Sequence, residues 1–117
     1  MEIVLEGKLR KSAIVKDNIV KFVIKKKLFT AQREKTISIK DITSVWIQKP
    51  DKWHMGFILF LTAVMTEEKM AGLRAISGTY WVADQENSVM FEGDDKYELA
   101  LRIKDYILEL NPHVIIL

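Results

Sequence analysis

Residues 37–64 read ISIKDITSVWIQKPDKWHMGFILFLTAV, and the reading of this stretch decides the fold. Ile37 and Ile39 alternate with Ser38 and Lys40, the period of two that marks a half-buried strand. Val45 and Ile47 alternate with Trp46 and Gln48 in the same way. Ile42 lies three residues from both Ile39 and Val45, so alternation breaks at Asp41-Ile42-Thr43. A corner is expected there, with Asp41 and Thr43 capping a short turn and Ile42 still pointing inward. Lys49-Pro50-Asp51-Lys52 is turn chemistry, because proline fixes φ and cannot donate to a ladder. Gly56 then opens an apolar run from Phe57 to Val64 in which only Thr62 is polar. Its aromatic content and flanking Gly and Pro suit a strand buried on both faces better than a short helix. It is far shorter than the ~20 residues of a membrane-spanning helix.

Toward the N-terminus, Ile3 and Leu5 alternate with charged neighbours, giving a first strand over Glu2–Lys8, with Gly7 at its end or at a bulge. Ala13 and Val15 lead into Asp17-Asn18, a turn pair that tolerates positive φ. Val20, Phe22 and Ile24 then alternate with Lys21, Val23 and Lys25. The segment from Lys25 to Lys35 reads as a loop joining this hairpin to the core stretch. Beyond Val64, residues 65–72 read as loop. Thr79-Tyr80-Trp81-Val82 has high β propensity, residues 84–87 form a turn, and Ser88–Phe91 is a last core strand with Val89 and Phe91 inward. A helix follows, with Asp95 as N-cap and Glu98 three residues on. Ala100, Ile103, Ile107 and Leu110 share one face at helical spacing, with Leu99 and Tyr106 beside them. Asn111-Pro112 ends it, because the residue before proline disfavours the α region. The apolar tail Val114-Ile115-Ile116-Leu117 should not hang in water. It either adds a strand to a sheet edge, covers a pocket or lies in an oligomer interface.

The chain's 117 residues, 49% hydrophobic and 29% charged, describe one globular domain able to bury a core. The domain divides into sheet over about 2–92, helix over about 95–110 and tail over 113–117. There are no cysteines, which excludes disulfides and thiolate metal sites. With no signal-peptide pattern at the start, a cytoplasmic location is expected. The net charge of +2 is unevenly spread. Residues 1–35 hold ten Lys/Arg against four Asp/Glu, and residues 83–117 hold three against eight. Such halves either neutralise each other within the fold or present a basic face to an anionic surface or to a neighbour's acidic end.

The run from Ile37 to Val45, then Pro50, then Gly56–Phe60, then Ala83-Asp84-Gln85-Glu86-Asn87-Ser88-Val89-Met90-Phe91 and the closing helix resembles the short bacterial pleckstrin-homology-like (PH-like) domains of unknown function. The resemblance covers roughly residues 3–110. It implies a mainly β fold with one C-terminal helix: a bent, seven-stranded antiparallel barrel with one end plugged by the helix. It does not imply a ligand, because folds of this kind serve lipids, peptides and assembly alike. In lipid-binding relatives of the fold, basic residues flank the first hairpin turn. Here that turn is expected at Asp17-Asn18, with Lys16 and Lys21 nearby.

No nucleophile elbow, phosphate loop or HExxH spacing is present. The two histidines, His54 and His113, lie in different segments and do not make a metal site. No enzyme activity, cofactor or metal is therefore expected. Two surfaces remain. In the first, Leu28 and Phe29 are framed by Lys25, Lys26, Lys27, Arg33 and Lys35. That arrangement suits an anionic bilayer, each lysine adding about 1 kcal/mol near the surface; alternatively, Leu28 and Phe29 fold back and the lysines guard a sheet edge. The second is a partner surface of Trp46, Trp53, Val114, Ile115, Ile116 and Leu117, since Trp46 should point outward if Val45 and Ile47 point inward. The expected function is a binding and assembly module acting by protein contacts or self-association, with peripheral membrane binding as the alternative. Nucleic acid is disfavoured, because the basic residues are not interleaved with aromatics.

Overall fold

The computed structural model describes residues 2–25, 32–63 and 87–117. Expectations for Lys26, Lys27, Leu28 and Phe29, for the loop at 65–72 and for the strand around Trp81 lie outside the described residues. The elements run β1 (Glu2–Glu6), β2 (Lys11–Lys16), β3 (Ile19–Ile24), β4 (Arg33–Ser38), a 3-10 turn (Ile39–Asp41), β5 (Ile42–Gln48), β6 (Gly56–Thr62), β7 (Ser88–Phe91), α1 (Asp94–Leu110) and β8 (Ile115–Ile116).

Among the described residues the protein is mainly β with one helix near its C-terminus. Among the described residues the strands form two sheets of four, ordered β1-β2-β3-β4 and β7-β6-β5-β8. All pairings are antiparallel except that of β8 with β5. The sheets meet in one core. Ile3, Leu5, Val15, Val20 and Phe22 from the first sheet pack with Val45, Ile58, Phe60, Val89 and Phe91 from the second. Phe22 and Phe60 meet edge to face across the middle, with ring centroids 5.5 Å apart.

Each sheet junction has a local cause. Where β1 meets β7, Gly7 lies so close to Met90 and Val89 that a Cβ would collide with both. The next residue, Lys8, donates its N–H to the Met90 carbonyl over 2.7 Å. Where β4 gives way to β5, the expected corner is a 3-10 turn. Ile39 and Ile42 are both buried, and the Ile39 N–H reaches the Asn18 carbonyl over 2.8 Å. The Thr43 hydroxyl donates across to the Leu61 carbonyl rather than capping the turn. The β6 run is buried on both faces, as the absence of alternation implies. Ile58 and Phe60 face the common core, while Phe57, Leu59 and Leu61 form a second cluster with Met90.

The first hairpin turn is Gly7–Arg10, between β1 and β2, and Asp17-Asn18 is the second. Leu9 and Arg10 adopt left-handed backbone at φ 59° and 60°, a conformation non-glycine residues seldom take and that residue type does not announce here. Arg33–Lys35 is strand rather than loop, paired with Ile24, Val23 and Phe22. Its consecutive charged residues carry no period of two, because β4 is exposed and, among the described residues, lies at the edge of its sheet.

The helix starts two residues earlier than the Asp95 cap implies. Gly93, at φ 89°, is the N-cap, and Asp94 and Asp95 sit in the first turn, where carboxylates favour the helix dipole. Ala100, Ile103 and Ile107 are fully buried in the common core. Each buried isoleucine contributes about 1.5–3 kcal/mol. Leu110, expected on that face, is 46% exposed, because the helix has run past the core by then.

Candidate functional site: the edge of the second sheet

Asn111 ends α1, its N–H bonded to the Ile107 carbonyl at 2.7 Å, and the Val114 N–H turns back to the Asn111 carbonyl. Val114 is buried in the core, and the chain then runs alongside β5. Ile115 pairs with Ser44 and Ile116 with Val45, in parallel. The Leu117 N–H donates to Val45 O over 2.8 Å, and the Ile47 N–H reaches Leu117 O at 3.5 Å. Of the three fates open to an apolar tail, this chain adopts strand addition, within the same molecule.

Pairing fixes direction. Both backbone groups of Leu117 face β5, so those of its neighbour Ile116 face the opposite way, out of the sheet edge. Laterally paired residues share a face. Ile116 therefore lies on the side of Val45, and Ile115 and Leu117 lie on the side of Ser44 and Trp46. Trp46 is half-buried and meets Phe57 edge to face at 6.2 Å. Four of the six residues of the expected partner surface thus gather at one edge, on two faces: Trp46, Ile115, Ile116 and Leu117. Val114 anchors them from the core. Ile115, Ile116 and Leu117 remain 59%, 40% and 38% exposed.

Trp53 stands apart. It is 80% exposed on the loop between β5 and β6. One oxygen of Asp51 accepts the Trp53 N–H and the His54 N–H, each at 2.7 Å, and contacts His54 Nδ1 at 3.1 Å. The Trp53 N–H above all, with the His54 groups, holds the Asp51 carboxyl below its ordinary range against a smaller opposing effect of desolvation. Lys52 lies 5.4 Å from the Trp53 ring centre. A cleft of about 670 Å³ runs beside this loop, past Met55, Met90 and Gly93. Its two carboxylates are engaged, Asp51 within the loop and Glu92 with Lys8 at 3.1 Å.

The basic surface lies on the first sheet. Lys25, Arg33 and Lys35 are exposed; Arg33 and Lys35 share one face of β4, and Lys26, Lys27, Leu28 and Phe29 fall outside the described residues. The Gln32 amide and Lys21 hold the Glu34 carboxyl below its ordinary range. The Lys25 N–H donates to the Arg10 carbonyl over 3.0 Å, which brings the first hairpin turn beside this end of the sheet. Leu9, at the tip of that turn, is 68% exposed. Sequence reasoning passed over Leu9 and Arg10, because the turn was expected elsewhere.

Among the described residues, no group of three His, Cys, Asp or Glu side chains is placed to hold a metal ion, and no helix is long and apolar enough to cross a membrane. What the arrangement at β8 can do is accept a strand: it offers one outward N–H, one outward carbonyl and three apolar side chains. No protein-family model, no curated protein and no solved structure matches the chain.

Proposed function

We propose that this chain is a non-enzymatic binding and assembly module whose docking surface is the β8 edge of its second sheet. The observation that carries the reading is the exposure of Ile115, Ile116 and Leu117 along an edge that no other strand covers among the described residues. Edge strands that stay single carry charges, prolines or bulges that deter pairing. At the far edge of the other sheet, β4 begins Arg33-Glu34-Lys35; residues 114–117 have no charged side chain. The test is fluorescence anisotropy with a labelled, extended peptide of alternating valine and threonine. Saturable binding that Ile115→Lys abolishes supports the edge as a docking surface. Failure of both this peptide and the chain itself to bind there contradicts it.

We further propose that the fold is PH-like. Support comes from the order of elements among the described residues, four strands, a corner, three strands and a helix, and from the burial of Ala100, Ile103 and Ile107 against residues of both sheets. Among the described residues, the parallel strand β8 is then an addition to the antiparallel strands the resemblance implies.

A second reading, peripheral binding to anionic membrane, draws on the first sheet. Exposed Leu9 and the basic residues Arg10, Lys25 and Arg33 cluster where the Lys25–Lys35 segment leaves β3. Liposome co-sedimentation that requires anionic lipid and fades with salt supports it; indifference to lipid charge contradicts it.

A further inference from the structure

We infer that the strand which docks on β8 is β8 of a second copy of this chain, antiparallel about a two-fold axis at Ile116. This rests on the edge reading above and names its partner.

Three features of the edge are self-complementary. The first is backbone: the outward N–H and the outward carbonyl belong to the same residue, Ile116, because Leu117 turns both of its groups to β5. A two-fold axis there lets each Ile116 N–H meet the other copy's Ile116 carbonyl, the doubly bonded pair of an antiparallel ladder. The second is side chains. With Ile116 on the axis, Ile115 falls opposite Leu117 of the other copy, and Leu117 opposite its Ile115. Both pairs lie on the Trp46 face, and Ile116 meets its own counterpart on the other. All three exposed apolar side chains are covered at once, each by another of the same kind. The third is charge: no side chain of residues 114–117 is charged, so no like-charged side chains oppose each other across the axis. Pairing joins two four-stranded sheets into one that runs through both molecules.

The contact is short, well below the ~1,000 Å² that a permanent interface clears, so the dimer dissociates on dilution. Sedimentation equilibrium of the whole chain from about 10 µM to about 1 mM spans the range in which such contacts form. The expected mass climbs from 13.6 kDa toward twice that value. Ile116→Pro, which removes the outward donor and leaves the Leu117 bonds to β5 in place, and Ile115→Lys, which leaves the backbone intact, each hold it at the monomer. The chain has no cysteine, so Ile116→Cys introduces a unique thiol. On mild oxidation this variant forms a covalent dimer, the paired Cα atoms lying about 5.5 Å apart, within disulfide reach. Leu9→Cys, more exposed than Ile116 but far from the edge in sequence, stays monomeric. A wild-type chain that is monomeric throughout, yet binds the valine-threonine peptide, overturns the self-pairing and leaves the docking edge standing. A monomer that binds no peptide overturns both. A dimer untouched by Ile116→Pro and Ile115→Lys places the contact elsewhere and overturns the inference.

Discussion

The Asn111 side-chain amide donates to the Ile39 carbonyl over 3.1 Å, and the same nitrogen reaches the Ile42 carbonyl at 3.2 Å. The residue that stops the helix thus holds the corner between β4 and β5, and it starts the turn that delivers Val114 to the core. Asn111→Ala should cost about 1–2 kcal/mol, since two carbonyls lose a donor in a half-buried site. Asn111→Asp should cost more at neutral pH, because a carboxylate facing two carbonyls can donate nothing. Urea unfolding of the two variants checks the order.

The corner shows what local pattern can and cannot convey. The broken alternation around Ile42 located it, and Ile39 and Ile42 are buried as that break implies. The apolar run after Gly56 announced burial on both faces, because alternation disappears only where neither side meets water. Helical spacing likewise identified Ala100, Ile103 and Ile107. Edges were less legible. Arg33–Lys35 looks like loop because an exposed edge strand shows no period, and Leu9 and Arg10 adopt positive φ without the residue types that favour it. The placement of β8 was legible only as one of three options, because its register depends on Asn111 fixing the helix end beside β5. The grouping of the residues expected to form a partner surface was half legible: Trp46 and the tail converge, whereas Trp53 belongs to a separate loop.

Ile103 is wholly buried between the sheets and the helix. Ile103→Ala should destabilise by about 2–5 kcal/mol through lost transfer energy and the cavity left behind. Glu109→Ala, on the exposed side of the same helix, should stay within about 0.5 kcal/mol. Equal effects of the two in denaturant melts would contradict the helix as plug of the core.

Glycine at 56 is a packing requirement. A Cβ there would lie 2.6 Å from Phe91, 2.7 Å from Pro50 and 2.8 Å from the Gln48 carbonyl. Gly56→Ala should cost about 1–3 kcal/mol by overpacking. Thermal unfolding measures it, and an unchanged midpoint would contradict the close approach of β6 to these residues.

The Asp51 carboxylate holds the Trp53 loop. Its pKa in the folded protein lies below the unfolded value of 3.8, so its contribution is full above that value and is lost as pH falls through the lower, folded one. In a His54→Gln background, which removes the neighbouring imidazole, Trp53 emission should hold steady from neutral pH down to the ordinary carboxylate range and change only in stronger acid. Asp51→Ala should loosen the loop at every pH, whereas Asp51→Asn, which keeps an acceptor oxygen, should preserve it. A Trp53 transition in the ordinary carboxylate range or above it would contradict this anchoring.

The most direct measurement of the β8 edge is amide hydrogen exchange at adjacent residues, Ile116 and Leu117, followed across protein concentration. Leu117, whose N–H is bonded to Val45, should be protected at every concentration. Ile116, whose N–H faces outward, should exchange freely in dilute solution and gain protection as concentration rises and a second β8 covers it. An Ile116 amide that exchanges equally fast at all concentrations, or is already protected in the monomer, contradicts an open edge that seeks its own copy.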